Sequence, residues 1–332
     1  MSRAAETPGR AALVATAQDS IARGSKSFAA ASRLFDPATR ERAWLLYAWC
    51  RACDDIADGQ ILGHDMTKVA DGPARIAAIR SATDAVLAGA WVGDPAFDGL
   101  RFVVAETGLP RGYIDDLIAG FALDAEDRRL RSTDDLLTYC YHVAGVVGCM
   151  MAIVMGVSPD DRDTLDRACD MGIAFQLANI ARDIEEDDRA GRCYLPMEWL
   201  VAMDIPPGQH MKPPYRARLA VLAQRLADMA TAYADSARAG VGRLSFRAAW
   251  AVLAAADIYG AIARKVAAAG EHGWDHRVHT GRSEKAGAIA RAALAALRRR
   301  EARPRPRSPE LWTRPDGGLA SDGGTSGGTG GE

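Results

Sequence analysis

Between residues 37 and 58, apolar side chains cover most of a helical circumference: Trp44, Leu45, Leu46, Ala48, Trp49, Ala52, Cys53 and Ile56. A helix apolar nearly all round packs inside a protein. Asp36 suits the N-cap, Pro37 the first helical position and Gly59 the stop, so "DPATRERAWLLYAWCRACDDIADG" predicts one long buried helix. The same periodicity predicts helices at about 11–23, 74–90, 96–107, 111–124, 133–155, 160–188, 214–240, 245–270 and 283–301. A break near Gly24 and a loop, "GSKSF", separate the first two helices, and "GLP", "MGVSPDD" and "DIPPGQHMKPP" punctuate the later ones. No strand ladder, internal repeat, GxGxxG or GxxxxGK[ST] stretch is visible, so the expected fold class is all-α.

Composition agrees. The 332 residues are 48% hydrophobic but only 7% aromatic, with strong helix formers throughout. A net charge of −2 argues against a nucleic-acid binder held by bulk charge. Beyond residue 301 the pattern stops: "RPRPRSP" is basic and proline-rich, and "DGGLASDGGTSGGTGGE" is almost wholly small and polar. The expectation is therefore one helical domain over 1–301 and a disordered tail over 302–332. The six cysteines are scattered, which suits a reducing compartment. Cys50 and Cys53 form a lone CxxC that reads as two small apolar residues on consecutive helical turns. Residues 1–23 lack the apolar core of a secretion signal, and no uncharged run reaches the roughly 18 residues of a membrane span. A soluble, cytoplasmic protein is expected. The basic segment 291–307 is compatible with peripheral contact with anionic lipid.

Polar positions inside the buried helices carry the chemistry. Tyr47, Arg51, Asp54 and Asp58 fall on one face of the 37–58 helix. Its aspartates stand in the last turn, where the helix dipole disfavours each by about 0.3–1 kcal/mol. A cation between them would offset that cost and the repulsion of Asp54 by Asp58. DDxxD alone fits either a solvated helix end or such a site. The stretch "GIAFQLANIARDIEEDDRAGRCYLP" repeats the pattern: Gly172, Gln176, Asn179, Asp183 and Asp187 share one face opposite Ile173, Leu177, Ile180 and Ile184. Asn179, Asp183 and Asp187 offer oxygen ligands at successive turns, a donor set that suits Mg²⁺. Two such stripes facing each other across a bundle would receive a polyanion, and a diphosphate is the obvious candidate. Arg51, Arg182, Arg192, Tyr194, Ser25, Lys26 and Ser27 lie near the motifs. Tyr141, Gly145, Gly148 and Ala152 share a nearly bare face, which fits either close helix packing or the wall of an apolar groove for a prenyl chain.

"GSKSFAAASRLFDPATRERAWLLYAWCRACDDIADGQ", "YCYHVAGVVG" and "QLANIARDIEEDDRAGRCYLP" resemble the three signature regions of bacterial phytoene synthases, members of the head-to-head prenyl transferases with squalene and dehydrosqualene synthases. The resemblance covers about residues 20–300. It implies a single-domain isoprenoid-synthase bundle around a central cavity. It also implies Mg²⁺- or Mn²⁺-dependent condensation of two geranylgeranyl diphosphates through prephytoene diphosphate to phytoene and two diphosphates. That is a geranylgeranyltransferase of carotenoid biosynthesis, with no NADPH and with a carotenoid desaturase downstream. Carried over by residue, Asp54, Asp58, Asn179, Asp183 and Asp187 hold metal. Ser27, Arg51, Gln176, Arg192 and Tyr194 surround diphosphate. Phe28, Tyr141 and Tyr259 line the cavity, where aromatic faces can stabilise cations, and Tyr141 joins the metal-binding aspartates as a catalytic candidate. Some members carry a histidine three residues before the serine of "SKSF"; Gly24 stands there, leaving one phosphate contact of the family without its counterpart. The alternatives are a C30 synthase acting on farnesyl diphosphate, a class I terpene cyclase and a non-catalytic helical subunit. Asp183 in the middle of its motif favours a transferase over a cyclase.

Overall fold

The computed structural model describes residues 8–58, 71–125, 129–299 and 306–315, with the side chains in these ranges except those of Lys26, Ser27 and Asp58. Every regular element among them is helical. The first half comprises α1 (Arg10–Gly24), α2 (Lys26–Ser32), α3 (Pro37–Asp58), α4 (Gly72–Leu87), α5 (Pro95–Thr107) and α6 (Arg111–Ala125). α7 (Thr133–Cys140) passes through a π-helical turn, Tyr141–Gly145, into α8 (Val146–Val154). α9 (Arg162–Arg189), α10 (Met197–Ala202), α11 (Arg216–Gly240), α12 (Phe246–Ala269) and α13 (Arg282–Arg298) follow.

Local chemistry explains the starts. Asp36 Oδ1 accepts from Thr39 N at 3.0 Å ahead of Pro37, and Ser132, Asp161 and Ser245 cap α7, α9 and α12 in the same way. The expected "GSKSF" loop is instead the beginning of α2, because Ser25 Oγ accepts from Phe28 N at 3.3 Å and starts a helix at once. The six-residue α10 was also not expected; it is too short for a periodic signal.

α3 packs on α1, α5, α6 and α4, while α9 packs on α11, α8, α12 and the π turn. Trp49 of α3 and Tyr141 of the π turn are buried within these contacts, and Trp199 of α10 is buried as well. The small-residue face of 141–152 is a helix contact and not a groove wall: a Cβ on Gly148 would lie 2.1 Å from Ala168 O, and one on Gly172 2.1 Å from Ala144 O. α9 therefore meets the π turn and α8 backbone to backbone. By length and composition, the stretches Thr133–Val154 and Phe246–His272 could span a membrane, but 61% and 44% of their apolar windows are buried inside the fold.

The tail departs from expectation. Residues 306–315 lie against the rear of α7, α9 and α11, held by three side chains. Arg307 pairs with Asp170, Trp312 donates to Asp134 and Arg314 pairs with Asp166. Composition missed this because the anchoring is ionic and aromatic, with few apolar residues. Residues 302–305 and 316–332 of the expected tail lie outside the described residues.

Candidate active site

α9 is 28 residues long, about 42 Å of helix. In its second half Leu177, Ile180, Ala181 and Ile184 are buried, while Gln176, Asn179, Asp183 and Asp187 remain half-buried along the other side. Arg182 Nε donates to Asp183 Oδ1 at 2.7 Å, and its Nη2 reaches the second oxygen. Arg277, from the loop after α12, reaches Asp183 at 3.1 Å and Glu186 at 2.9 Å. Trp274, 2% exposed, fixes that loop by donating its indole N–H to Ala181 O at 2.9 Å. Asp183 thus has two guanidinium partners. Asp187 is poorly compensated: burial, reinforced by the Asp183 charge and opposed by Arg192, pushes its carboxyl up to about 7.

α3 presents the other stripe. Arg51 Nη1 donates to Asp54 Oδ2 at 2.5 Å, and the guanidinium lies 5.9 Å from the Tyr47 ring centre. Burial opposes the Arg51 charge, but Asp54 and Tyr47 outweigh it and hold the guanidinium above its ordinary pKa. Phe28 of α2 packs on Tyr47 with ring centroids 5.6 Å apart. Among the described residues, neither Tyr47 Oη nor Arg51 Nε has a hydrogen-bond partner of good geometry. A Cβ at Gly24 would fall 2.5 Å from Tyr47 Oη. The Tyr47 hydroxyl therefore takes the space that a side chain at 24 would need.

Tyr259 of α12 stands beside the α9 stripe. Its ring stacks on Phe175 of α9 at 4.2 Å. Burial raises its pKa; Arg182 opposes the rise, and Asp183 and Tyr47 add to it, so groups of α3 and α9 act on one hydroxyl.

A cleft is lined by Asp124, Arg129, Tyr139, Arg192 and Tyr194, and a smaller cavity that shares Arg192 and Tyr194 reaches Asp187. Tyr139 and Tyr194 stack at 5.0 Å, and both hydroxyls donate to Asp124 Oδ1, at 3.0 and 3.2 Å. Tyr141 is not part of this group. It is fully buried, donates to Asp116 Oδ2 at 2.5 Å and packs against Trp312. Two helical residues rotate a side chain by about 200°, so Tyr139 faces the cleft and Tyr141 faces away.

Of the residues expected from sequence, Arg51, Asp54, Gln176, Asn179, Asp183, Asp187, Arg192, Tyr194, Phe28 and Tyr259 line the two stripes or their flanks. The side chains of Ser27 and Asp58 lie outside the described set. The reading missed Tyr139, Asp124, Phe175 and Arg277. Tyr139 could have been found by weighing both tyrosines of "YCY" on the wheel. Arg277 stands in a loop and carries no periodic signal. Cys53 is fully buried and burial pushes the Cys50 thiol up to about 12, as inert packing residues require.

Among the described residues, no three His, Cys, Asp or Glu side chains form a complete metal centre. Mg²⁺ does not need one, since it takes one or two carboxylates and completes its shell with water and substrate phosphate. The donors here are all oxygen, and Asp187 is a carboxylate that a nearby cation would return to its ionised form. The residues fit such an ion.

A family model described as squalene/phytoene synthase matches residues 21–284. A phytoene synthase of Pseudescherichia vulneris is 46% identical over 306 residues, 91% of this chain and 98% of that one. 15-cis-Phytoene synthases of Enterobacter agglomerans and Pantoea ananas are 45% and 43% identical, over 88% and 91% of this chain and 99% and 98% of theirs. In fold, the chain is similar to a dehydrosqualene synthase crystallised with ligand, at TM-score 0.76 and 23% identity over 86% of this chain and 96% of that one. It is also similar to the squalene synthase HpnC from Alicyclobacillus acidocaldarius, at TM-score 0.68 and 23% identity over 78% and 94%.

Proposed function

Because the chain belongs to the squalene/phytoene synthase family, we propose that it condenses two geranylgeranyl diphosphates head to head into phytoene, releasing two diphosphates, in carotenoid biosynthesis. The observation that carries this is a pair of matching stripes, Arg51–Asp54 on α3 and Arg182–Asp183 on α9, each flanked by an aromatic pair, Phe28 on Tyr47 and Phe175 on Tyr259.

Asp54, Asp58, Asn179, Asp183 and Asp187 would hold Mg²⁺ or Mn²⁺, which neutralises diphosphate and makes it a better leaving group. The chain's own groups do the remainder. Arg51, Arg182, Arg192 and Arg277 offer guanidinium donors to diphosphate oxygens, exchanging carboxylate partners for phosphate as metal takes the carboxylates. One diphosphate departs, the double bond of the second substrate attacks the allylic cation, and loss of a first proton closes the cyclopropane ring of prephytoene diphosphate. Departure of its diphosphate, rearrangement and loss of a proton give phytoene, with no electrons gained and no NADPH required. The faces of Phe28, Tyr47, Phe175 and Tyr259 stabilise the passing carbocations. The packed helices keep water from quenching them. Tyr139 and Tyr194, tied to Asp124, shape the floor of the cleft beside Arg192.

The protein works in the cytoplasm at the membrane surface, where its lipid substrate resides and a desaturase would take the product. Supporting this, Leu294 and Leu297 of α13 are 52% and 64% exposed, next to Arg291 and Arg298. Replacing both leucines with serine should weaken sedimentation with anionic liposomes; unchanged sedimentation would remove α13 from the membrane contact. For the reaction itself, Asp54→Asn and Asp183→Asn should each abolish Mg²⁺-dependent diphosphate release while leaving the helical circular dichroism intact. Full activity in either variant would defeat the assignment.

A further inference from the structure

The strongest unexplained feature is the C-terminal segment 306–315, which buries charge on the rear of the site-bearing helices. Asp170 of α9 is 0% exposed. Arg307 grips it with both ends of its guanidinium, Nε to Oδ2 at 2.8 Å and Nη2 to Oδ1 at 2.7 Å. Ser236 of α11 completes the carboxylate at 2.6 Å. The same guanidinium donates to Trp312 O at 2.6 Å, folding the segment back on itself. Trp312 N donates to Tyr233 Oη of α11 at 3.1 Å, its indole N–H to Asp134 of α7 at 2.9 Å, and its ring packs on Tyr141 at 5.7 Å. Arg314, 8% exposed, closes the far end on Asp166 of α9 at 2.7 Å. Ten residues therefore tie α7, α9 and α11 together.

The attachment points matter because two of these helices, α7 and α9, carry the site. Asp170 lies thirteen residues before Asp183, roughly 20 Å along α9 and on nearly the opposite side of it. Tyr141 lies two residues after Tyr139. Asp170 and Tyr141 thus lie behind Asp183 and Tyr139, and α9 meets the π turn with no slack at Gly148 and Gly172. A shift at the rear is transmitted, because close-packed helices do not deform continuously.

We propose that residues 306–315 are a clasp that sets the register of α7 and α9, with Arg307 and Trp312 as positioning residues for the diphosphate site at the front. The inference rests on the proposed site only for the identity of the ligand used below. Coupling between two sites is reciprocal, so ligand bound in front must also tighten the clasp behind.

The sequence supplies a reporter. Trypsin does not cleave before proline, and Arg303, Arg305 and Arg314 all precede proline. Arg307–Ser308 is the one open site between 303 and 314, and cutting there releases residues 308–332. In the full-length protein, release of this peptide is timed by mass spectrometry, with and without Mg²⁺ and inorganic pyrophosphate, while pyrophosphate binding is measured by calorimetry in the same samples. The clasp predicts slow release, slowed a further fivefold or more, roughly, by Mg²⁺–pyrophosphate. Trp312→Ala should speed release and weaken pyrophosphate binding by the same factor. Arg307→Gln should lower Tm by roughly 5 °C, because it leaves the buried Asp170 carboxylate without its counter-charge, and Asp170→Asn added to it should restore most of the loss. Release unaffected by bound pyrophosphate, or equal binding by Trp312→Ala and the parent, overturns the positioning role. An Arg307→Gln Tm equal to the parent overturns the clasp itself. If the parent binds no pyrophosphate, the proposed function fails, and the Tm pair still decides the clasp.

Discussion

Arg277 makes an unusual claim on the site, since it pairs with an aspartate that the proposed reaction needs for metal. Its guanidinium reaches Asp183 at 3.1 Å and Glu186 at 2.9 Å, with its own side chain 54% exposed, Asp183 19% and Glu186 43%. Exposed pairs are worth about 0.2–1 kcal/mol, and the less exposed Asp183 contact belongs near the top of that range. A metal ion entering on Asp183 must displace this contact. Arg277→Gln should therefore tighten Mg²⁺ binding to the substrate-free protein, by up to about fivefold for 1 kcal/mol. Once pyrophosphate is present, the sign reverses. The displaced guanidinium is then free to bind phosphate oxygen, and charge-assisted bonds contribute about 1.5–3 kcal/mol, less where solvent competes. The variant should bind pyrophosphate at saturating Mg²⁺ about tenfold more weakly. Two titrations by calorimetry test this, Mg²⁺ alone and then pyrophosphate with Mg²⁺ fixed. If both affinities fall together, Arg277 merely supports the fold; if neither moves, it has no part in the site.

Tyr139→Phe should reduce activity with little change in Tm, whereas Tyr141→Phe should lower Tm and leave pyrophosphate affinity unchanged; kinetics and thermal unfolding on both separate the two, and reversed results would return Tyr141 to the site. Gly172→Ala places a Cβ 2.1 Å from Ala144 O and should destabilise by at least the roughly 1–3 kcal/mol typical of overpacking, read by urea unfolding; a neutral result would mean that α9 and the π turn are not in contact. Asp36→Ala should cost about 1 kcal/mol at pH 7, because the carboxylate caps Thr39. That backbone hydrogen bond holds Asp36 below 3.8, so its contribution is present above the unfolded pKa and is lost as pH falls through the lower folded value. Unfolding of parent and variant should thus converge in acid, and a gap independent of pH would rule out the charged cap.

Most helices were legible because their apolar period is strong, and the Asp36–Pro37 start of α3 read directly from the chain. The site's acidic stripes were legible for the same reason, since Asn179, Asp183 and Asp187 keep step with a regular α-helix. Tyr141, expected at the site, lies instead in the interior on Asp116. Tyr139 and Tyr141 lie about 200° apart around the helix, and nothing in the sequence says which of the two faces the cleft. The glycines beside Tyr141 fitted a groove or a contact equally well, and only the approach of Ala144 and Ala168 decides between them. The segment 306–315 was hidden because Arg307 and Arg314 look like solvated charge until Asp170 and Asp166, about 140 residues away in sequence, are brought beneath them. A lone tryptophan in an otherwise polar tail was the available signal.

The most direct test of the proposed chemistry is the hydrocarbon made from geranylgeranyl diphosphate with Mg²⁺ and without NADPH, identified by mass spectrometry alongside the count of diphosphate released. A C40 phytoene with two diphosphates per molecule is the expected product. A C20 alcohol or cyclic terpene, or turnover confined to farnesyl diphosphate with a C30 product, would contradict it.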